Sequence, residues 1–200
     1  MSGRDEILTR IRKAQPASRP LPEIPTFDQG LSTSIETFKA ALLRMGGRFV
    51  DAPTDGNLDA QVHGLFPDAK VICSAVPEVK GNRPIERVLI PQELDDVDVG
   101  VVRALFGVAE TGSLWLSEVQ YKIDAIGFLA QHLVVLLDPD AIVANMHQAY
   151  RHEGFFTARY AVFMTGPSAT ADIEGVLIHG AQGIRTMTVI AWPLAAKAPQ

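Results

Sequence analysis

Leu133-Val134-Val135-Leu136-Leu137 is apolar without a break. A strand with one wet face alternates apolar and polar residues, so an unbroken run demands cover on both sides. It is far shorter than the ~20 residues of a membrane-spanning helix. Tyr160–Met164 and Met187–Trp192 read as strands of the same kind. Between these runs, apolar residues recur at helical spacing: Ile142, Val143, Met146 and Tyr150 over 139–152, then Ile173, Val176 and Leu177 over 170–179. Strands alternating with helices predict an α/β fold whose sheet is covered by helices on both faces. Residues 98–106 and 113–117 form two more strands joined by a short glycine-containing turn, which makes the sheet mixed, mostly parallel.

The earlier chain fits the same scheme. Ile35, Phe38, Leu42 and Met45 mark a helix that Ser32 or Ser34 can cap and Gly46-Gly47 ends. A strand at Arg48-Phe49-Val50, a helix near 56–65 and a strand over 69–75 follow. Residues 77–91 are rich in turn formers and predict a surface excursion. A short helix over 121–130 leads into the apolar run. At the start, residues 2–14 predict a helix, and Pro16, Pro20, Pro22 and Pro25 then enforce an extended linker. The expected division is an arm and linker over 1–31, one domain over 32–193, and a tail over 194–200. The arm reads either as a loosely docked terminus or as a means of gripping a partner or a second copy in a homo-oligomer.

Composition removes several function classes. The net charge of −5 argues against a nucleic-acid surface, which carries a basic excess. The charged start, Met1 to Glu6, has no apolar signal-peptide core, and no stretch is long enough for a membrane span, so a cytoplasmic location is expected. The single cysteine, Cys73, can form no internal disulfide and cannot supply the four ligands of an iron–sulfur cluster. Its apolar neighbours predict a buried thiol. The five histidines are scattered; His147 and His152 stand five apart, off the i, i+4 spacing of a helical metal pair, and no metal site is expected.

Two glycine turns carry the polar residues. Gly107-Val108-Ala109-Glu110-Thr111-Gly112-Ser113 has phosphate-loop spacing, but Ser113 stands where that loop needs lysine and a strand follows where it needs a helix. What remains is a strand–turn–strand bearing Glu110, Thr111, Gly112 and Ser113. Glu110 is a candidate base or nucleophile, and the hydroxyls suit a small anion. An ordinary turn with a solvated glutamate fits the same residues. The second turn, Gly166-Pro167-Ser168, follows a strand, and Ser168 or Thr170 is placed to cap a helix over 170–179, with its free amides at the carboxyl end of the strands. Asp172 and Glu174 complement a helix start or, in the case of Asp172, bind a ligand hydroxyl. Gly180 and Gly183 permit a tight connection back to the last strand, and Arg185 is a candidate clamp for an anion. The binding set is therefore Thr111, Gly112, Ser113, Gly166, Pro167, Ser168, Thr170, Asp172, Gly183 and Arg185, with Glu110 as the catalytic candidate.

Phe106-Gly107-Val108-Ala109-Glu110-Thr111-Gly112-Ser113, Thr165-Gly166-Pro167-Ser168 and Thr170-Ala171-Asp172-Ile173-Glu174, in this order and at this separation, resemble the LUD-domain family, which includes the lactate utilisation protein C type. The resemblance spans roughly residues 32–193. It implies a fold like the sugar-phosphate isomerase and CoA-transferase group. It also implies a part in oxidising L-lactate to pyruvate, as a non-redox subunit beside iron–sulfur partner proteins, with a small anionic ligand and no cofactor in this chain. Three positions depart from the family pattern. Ala169 replaces a basic residue, and Gln182 and Ile184 stand where His and Pro are common. A stand-alone isomerase or acyl-transferase using Glu110, and an interaction module using the arm, are the alternatives.

Overall fold

A computed structural model describes residues 3–172 and 174–194. The chain runs through α1 (Gly3–Ala14), α2 (Ile35–Arg44), β1 (Arg48–Val50), α3 (Leu58–Leu65), β2 (Ile72–Ser74), β3 (Arg83–Pro84), β4 (Val99–Arg103), β5 (Phe106–Val108) and β6 (Ser113–Ser117). It continues through α4 (Glu118–Tyr121), α5 (Ile126–Leu129), β7 (His132–Leu137), β8 (Ile142–Val143), α6 (Met146–Ala149), α7 (Gly154–Thr157), β9 (Ala161–Met164), β10 (Ala169–Thr170), β11 (Ile178–His179) and β12 (Thr186–Ala191).

Six strands in the order β1-β12-β7-β4-β2-β3 form a sheet in which each adjacent pair is parallel. Its central strands bury side chains on both faces. Leu133, Val135 and Leu137 join Phe38 and Leu42 of α2 in one core, while Val134 and Leu136 join Leu58 and Val62 of α3 in the other. Adjacent residues of a strand point to opposite faces, so the unbroken apolar run serves two cores at once. Fully burying such a side chain stabilises by about 1.5–3 kcal/mol. The α/β class and the mostly parallel sheet are as expected.

The hairpin belongs to a separate sheet. β5 and β6 pair antiparallel and, with β8 and β9, make a four-stranded sheet of order β8-β5-β6-β9. The expected strand over 98–106 is therefore two strands: the chain leaves the first sheet after Arg103 and enters the second at Phe106. Leu114 and Leu116 of β6 pack into the core that holds α2, so the second sheet shares with the helices the covering of that face.

Two expected helices are absent. Over 139–152, Pro139–Ala141 forms a single 3-10 turn, Ile142-Val143 forms a strand beside β5, and only Met146–Ala149 is α-helical. Asn145 Oδ1 accepts from Gln148 N and starts this short helix, a local bond that halts a longer one. Over 170–179, β10 and β11 pair antiparallel instead. Thr170 Oγ1 accepts from Asp172 N, Glu174 and Gly175 adopt positive φ, and Val176 and Leu177 are exposed, so no apolar face draws this segment into a helix. Ile173 of the expected helix lies outside the described residues. The segment over 121–130 is also divided: α4 and α5 are separated at Lys122, whose φ is 63°.

The segment 77–91 is more than a surface excursion, since Val79 and Ile85 are buried and β3 extends the sheet. Cys73 is fully buried, and burial pushes its thiol up to about 11. In α1 no described residue is buried, while Ile24–Asp28 is fastened to the domain. Asn145 Nδ2 donates to the carbonyls of Thr26 and Phe27 (2.8 and 3.0 Å), Gln148 Nε2 donates to Asp28 Oδ2 (3.0 Å), and Arg151 donates to the carbonyl of Ile24. Ser2 of the expected first helix and the tail beyond Leu194 lie outside the described residues. Among the described residues no helix is long and apolar enough to cross a membrane.

Asp98 ties the entry of β2 to that of β4, its Oδ2 accepting from Lys70 N (2.7 Å) and Val71 N (2.9 Å). The amides of Val71 and then Lys70 hold its carboxyl below the usual carboxylate range, against partial burial. A lowered folded value means that the unfolded chain takes up the proton first. This contribution is therefore present above about pH 4 and is lost as pH falls through the ordinary carboxylate pKa toward the lowered one. Asp98→Ala is expected to cost about 1–3 kcal/mol at neutral pH, with Asp98→Asn milder because it keeps an acceptor. In urea melts, the gap between wild type and Asp98→Ala should close below about pH 4. A gap independent of pH would refute this role.

Candidate functional site

The first turn, residues 109–112, links β5 to β6. Gly112, at φ +69°, lies so close to α2 that a Cβ there would come within 2.3 Å of Leu42 N. The Thr111 and Ser113 hydroxyls are 2.7 Å apart, and the Ser113 hydroxyl lies 2.6 Å from that of Thr165. Ser113 is buried. Thr165 closes β9, which pairs with β6, so this run of three hydroxyls joins the first turn to the second.

The second turn is pressed onto the same helix end. A Cβ on Gly166 (φ +73°) would stand 2.2 Å from the carbonyl oxygen of Met45. Ser168 then knits the turn to the chain approaching β12. Its N–H donates to the carbonyl of Ile184 (3.0 Å), its hydroxyl to that of Gln182 (2.8 Å), and its own carbonyl accepts from Gly180 N (2.7 Å). Gly183 faces Ser168 closely enough that a Cβ would lie 3.2 Å from Ser168 Cβ. Between these segments and α5 opens a cleft of about 430 Å³. Phe128, Met164 and Ile184 give it apolar walls, and Thr165, Ser168 and Gln182 line it with polar groups. The N–H groups of Gly166 and Gly183 donate no hydrogen bond among the described residues.

The eleven residues singled out in the sequence divide accordingly. Gly166, Pro167, Ser168 and Gly183 line the cleft. Ser113 and, through it, Thr111 reach the cleft by way of Thr165, and Gly112 sets the turn against α2. Glu110, Thr170, Asp172 and Arg185 do not line it. Glu110 is exposed, its carboxylate accepting from Met146 N (3.2 Å) at the start of α6. Arg185 is exposed at the foot of β12, where its charge, after burial, lowers the pKa of His132; Asp98 opposes both. Phe128 and Gly127 were missed, because only the pairing of β9 with β6 brings the second turn to α5; no local pattern marks them. Thr165 was legible as the residue before Gly166.

The cleft also lies at the opposite sheet edge from the one expected. Gly183 and Ile184 immediately precede β12, and Gly127 and Phe128 precede β7, so it opens at the amino ends of the parallel strands. The second turn follows a strand of the four-stranded sheet, whose direction does not fix its position against the six-stranded one. Among the described residues no group of three or more His, Cys, Asp or Glu is placed to hold a metal ion.

An α/β protein with a six-stranded and a four-stranded sheet, whose paired glycine turns meet at one helix end, is the class that the fold and the cleft define. The LUD domain matches residues 29–191, and the chain belongs to that family. It is 30% identical over 107 residues to a Lactate utilization protein C of Shouchella clausii, a match covering 51% of this chain and 46% of that protein. A second Lactate utilization protein C, from Geobacillus, is 31% identical over 102 residues, covering 48% and 42%. The matched segment thus spans less than half the length of these relatives. An uncharacterized protein of Neisseria meningitidis serogroup B is 26% identical over 96% of this chain and 94% of its own. Among solved structures, a DUF162 family protein from Deinococcus radiodurans shares the fold, with a TM-score of 0.63 at 16% identity over 78% of this chain and 94% of that one.

Proposed function

We propose that this chain serves L-lactate utilisation as a subunit without a redox centre of its own, beside iron–sulfur proteins that carry the electrons, and holds a small carboxylate in the turn cleft. The observation that supports this most is the domain match over residues 29–191 together with relatives named Lactate utilization protein C. Oxidising lactate to pyruvate removes two electrons, and a chain with one cysteine cannot by itself ligate a four-cysteine cluster, which supports the reading that iron–sulfur carriers belong to other proteins.

The cleft suits a small ligand handled without formal charge. The Thr165 hydroxyl and the amides of Gly166 and Gly183 are neutral donors at one wall, while Ser168, whose hydroxyl donates to the carbonyl of Gln182, fixes the wall's shape. Neutral donors hold a carboxylate less tightly than a guanidinium does, as befits a ligand that must be passed on. The capping bond of Glu110 and its place outside the cleft favour this reading over a stand-alone enzyme using that carboxylate.

A strain lacking this gene, with no duplicate copy, should grow poorly on L-lactate as sole carbon source and normally on glucose. Wild-type protein should restore growth, and Ser168→Ala should restore it only in part. Normal growth of the deletion strain on L-lactate would refute the proposal.

A further inference from the structure

β9 lies at the edge of the four-stranded sheet, order β8-β5-β6-β9, with β6 on one side only. Its register on β6 fixes which backbone groups are used. Glu118 N donates to the carbonyl of Tyr160 (3.2 Å), and the pairs Leu116–Val162 and Leu114–Met164 follow at steps of two residues. In an antiparallel ladder bonded pairs alternate with unbonded ones, so Ala161, Phe163 and Thr165 turn their N–H and C=O groups away from β6. None of these outward groups bonds to another of the described residues.

Folded proteins guard such edges with a charge, a proline or a bulge. Ala161-Val162-Phe163-Met164-Thr165 has no charge and no proline, and Ala161–Met164 pairs with β6 one residue to one, without a bulge. Ala161 is exposed, and the four residues after it are half-buried. The surface beside the strand is apolar on both faces. On one, Phe163 meets Tyr150 at 6.0 Å, Tyr150 meets Phe155 at 4.9 Å, and Phe155 meets Phe156 at 5.8 Å. Phe156, at the outer end of this cluster, is 75% exposed. On the other face, Val162 and Met164 border the turn cleft together with Phe128, which is 42% exposed. An unguarded edge between exposed apolar patches marks a protein interface, and such interfaces are rich in Phe and Tyr.

The outward groups are symmetric about Phe163. When two copies of the strand run antiparallel around a twofold axis at that residue, Phe163 faces its counterpart and Ala161 faces the partner's Thr165. Every outward N–H then meets an outward C=O, and both copies use the same surface. The strand is its own complement. We propose that the protein forms a twofold dimer by antiparallel pairing of β9 with β9 of a second copy, which joins the two four-stranded sheets into one. The aromatic cluster ending at Phe156 and the side chain of Phe128 flank the joint. Because Val162 to Thr165 also wall the turn cleft, the added strand closes one flank of that cleft. The pairing does not depend on what the cleft holds.

Analytical ultracentrifugation and amide hydrogen exchange of the full chain test this. The protein should be dimeric at about 10–100 μM and dissociate on dilution. Ala161→Lys places a charge on the edge, and Ala161→Pro removes an outward N–H at the first residue of the strand. Each should weaken the dimer about tenfold or more while the circular dichroism spectrum is unchanged. If the proline variant misfolds, the lysine variant decides alone. In the dimer the Phe163 amide should exchange about tenfold or more slowly than after dilution or in Ala161→Lys, whereas the Val162 and Met164 amides, bonded to β6, should keep their protection throughout. A chain still monomeric at about 100 μM, which would leave the edge to some other protein, would overturn the proposal. So would a dimer unaffected by Ala161→Lys, or a Phe163 amide that exchanges equally fast in monomer and dimer. A dimer lost on removing α1 but kept in Ala161→Lys would also overturn it, by moving the contact to the arm.

Discussion

Gly112→Ala is expected to destabilise the protein by about 3–5 kcal/mol, the sum of a positive-φ cost of about 1 kcal/mol and an overpacking cost at the upper end of the usual range. The added Cβ would sit 2.3 Å from Leu42 N and 2.6 Å from Leu42 Cα. Both are backbone atoms of a helix packed on the main core, so neither can swing aside. Either α2 lifts from Phe38 and Leu42's core or the turn opens and breaks the Thr111–Ser113–Thr165 run. Domains of this size are stable by about 5–15 kcal/mol, so the loss would leave a marginal fold. Gly56→Ala is the control. Its φ is +71°, but nothing lies within 4 Å of the added methyl, so only the backbone cost of about 1 kcal/mol applies. Urea midpoints of the two variants decide the matter; equal losses would mean that the first turn does not press on the helix.

Trp115→Ala should cost about 3–5 kcal/mol by a different route, the loss of a large buried ring and the cavity that remains. Trp115 is one of the largest fully buried side chains and stacks on Phe106 at 5.6 Å. Phe106 in turn meets Phe163 edge-on at 6.2 Å, so the ring holds β5, β6 and β9 together from one face. Its indole N–H is buried without an acceptor among the described residues. Trp115→Phe removes that orphan donor and keeps most of the volume, and should cost less than about 1.5 kcal/mol. Chemical denaturation followed by far-ultraviolet circular dichroism separates the two. A Phe variant as damaged as the Ala variant would show that the indole N–H has a partner.

The α/β class was legible because strand-sized apolar runs such as Leu133–Leu137 alternate with helical spacings, and the glycine turns because Gly112 and Gly166 sit where only a residue without Cβ fits. The helices expected over 139–152 and 170–179 failed for local reasons that spacing does not reveal. Asn145 turns its amide onto Thr26 and Phe27 and caps a one-turn helix, and Val176 and Leu177 have no core to face. The position of the cleft was hidden by long-range pairing. Nothing near Ser168 says that β9 pairs with β6, or that this brings the second turn to the amino end of β12. The Arg103–Glu78 pair, 25 residues apart in the chain, depends on β2 and β4 lying side by side.

The fastening of Ile24–Asp28 has a mechanical consequence for α1. From Gln15 to Glu23 the chain carries Pro16, Pro20 and Pro22 and is exposed throughout. At about 3.1 Å per residue for proline-rich chain, it acts as a semi-rigid boom of roughly 28 Å. The helix at its tip, with Ile7 and Ile11 exposed, is thereby kept within that reach of the fastening at Ile24.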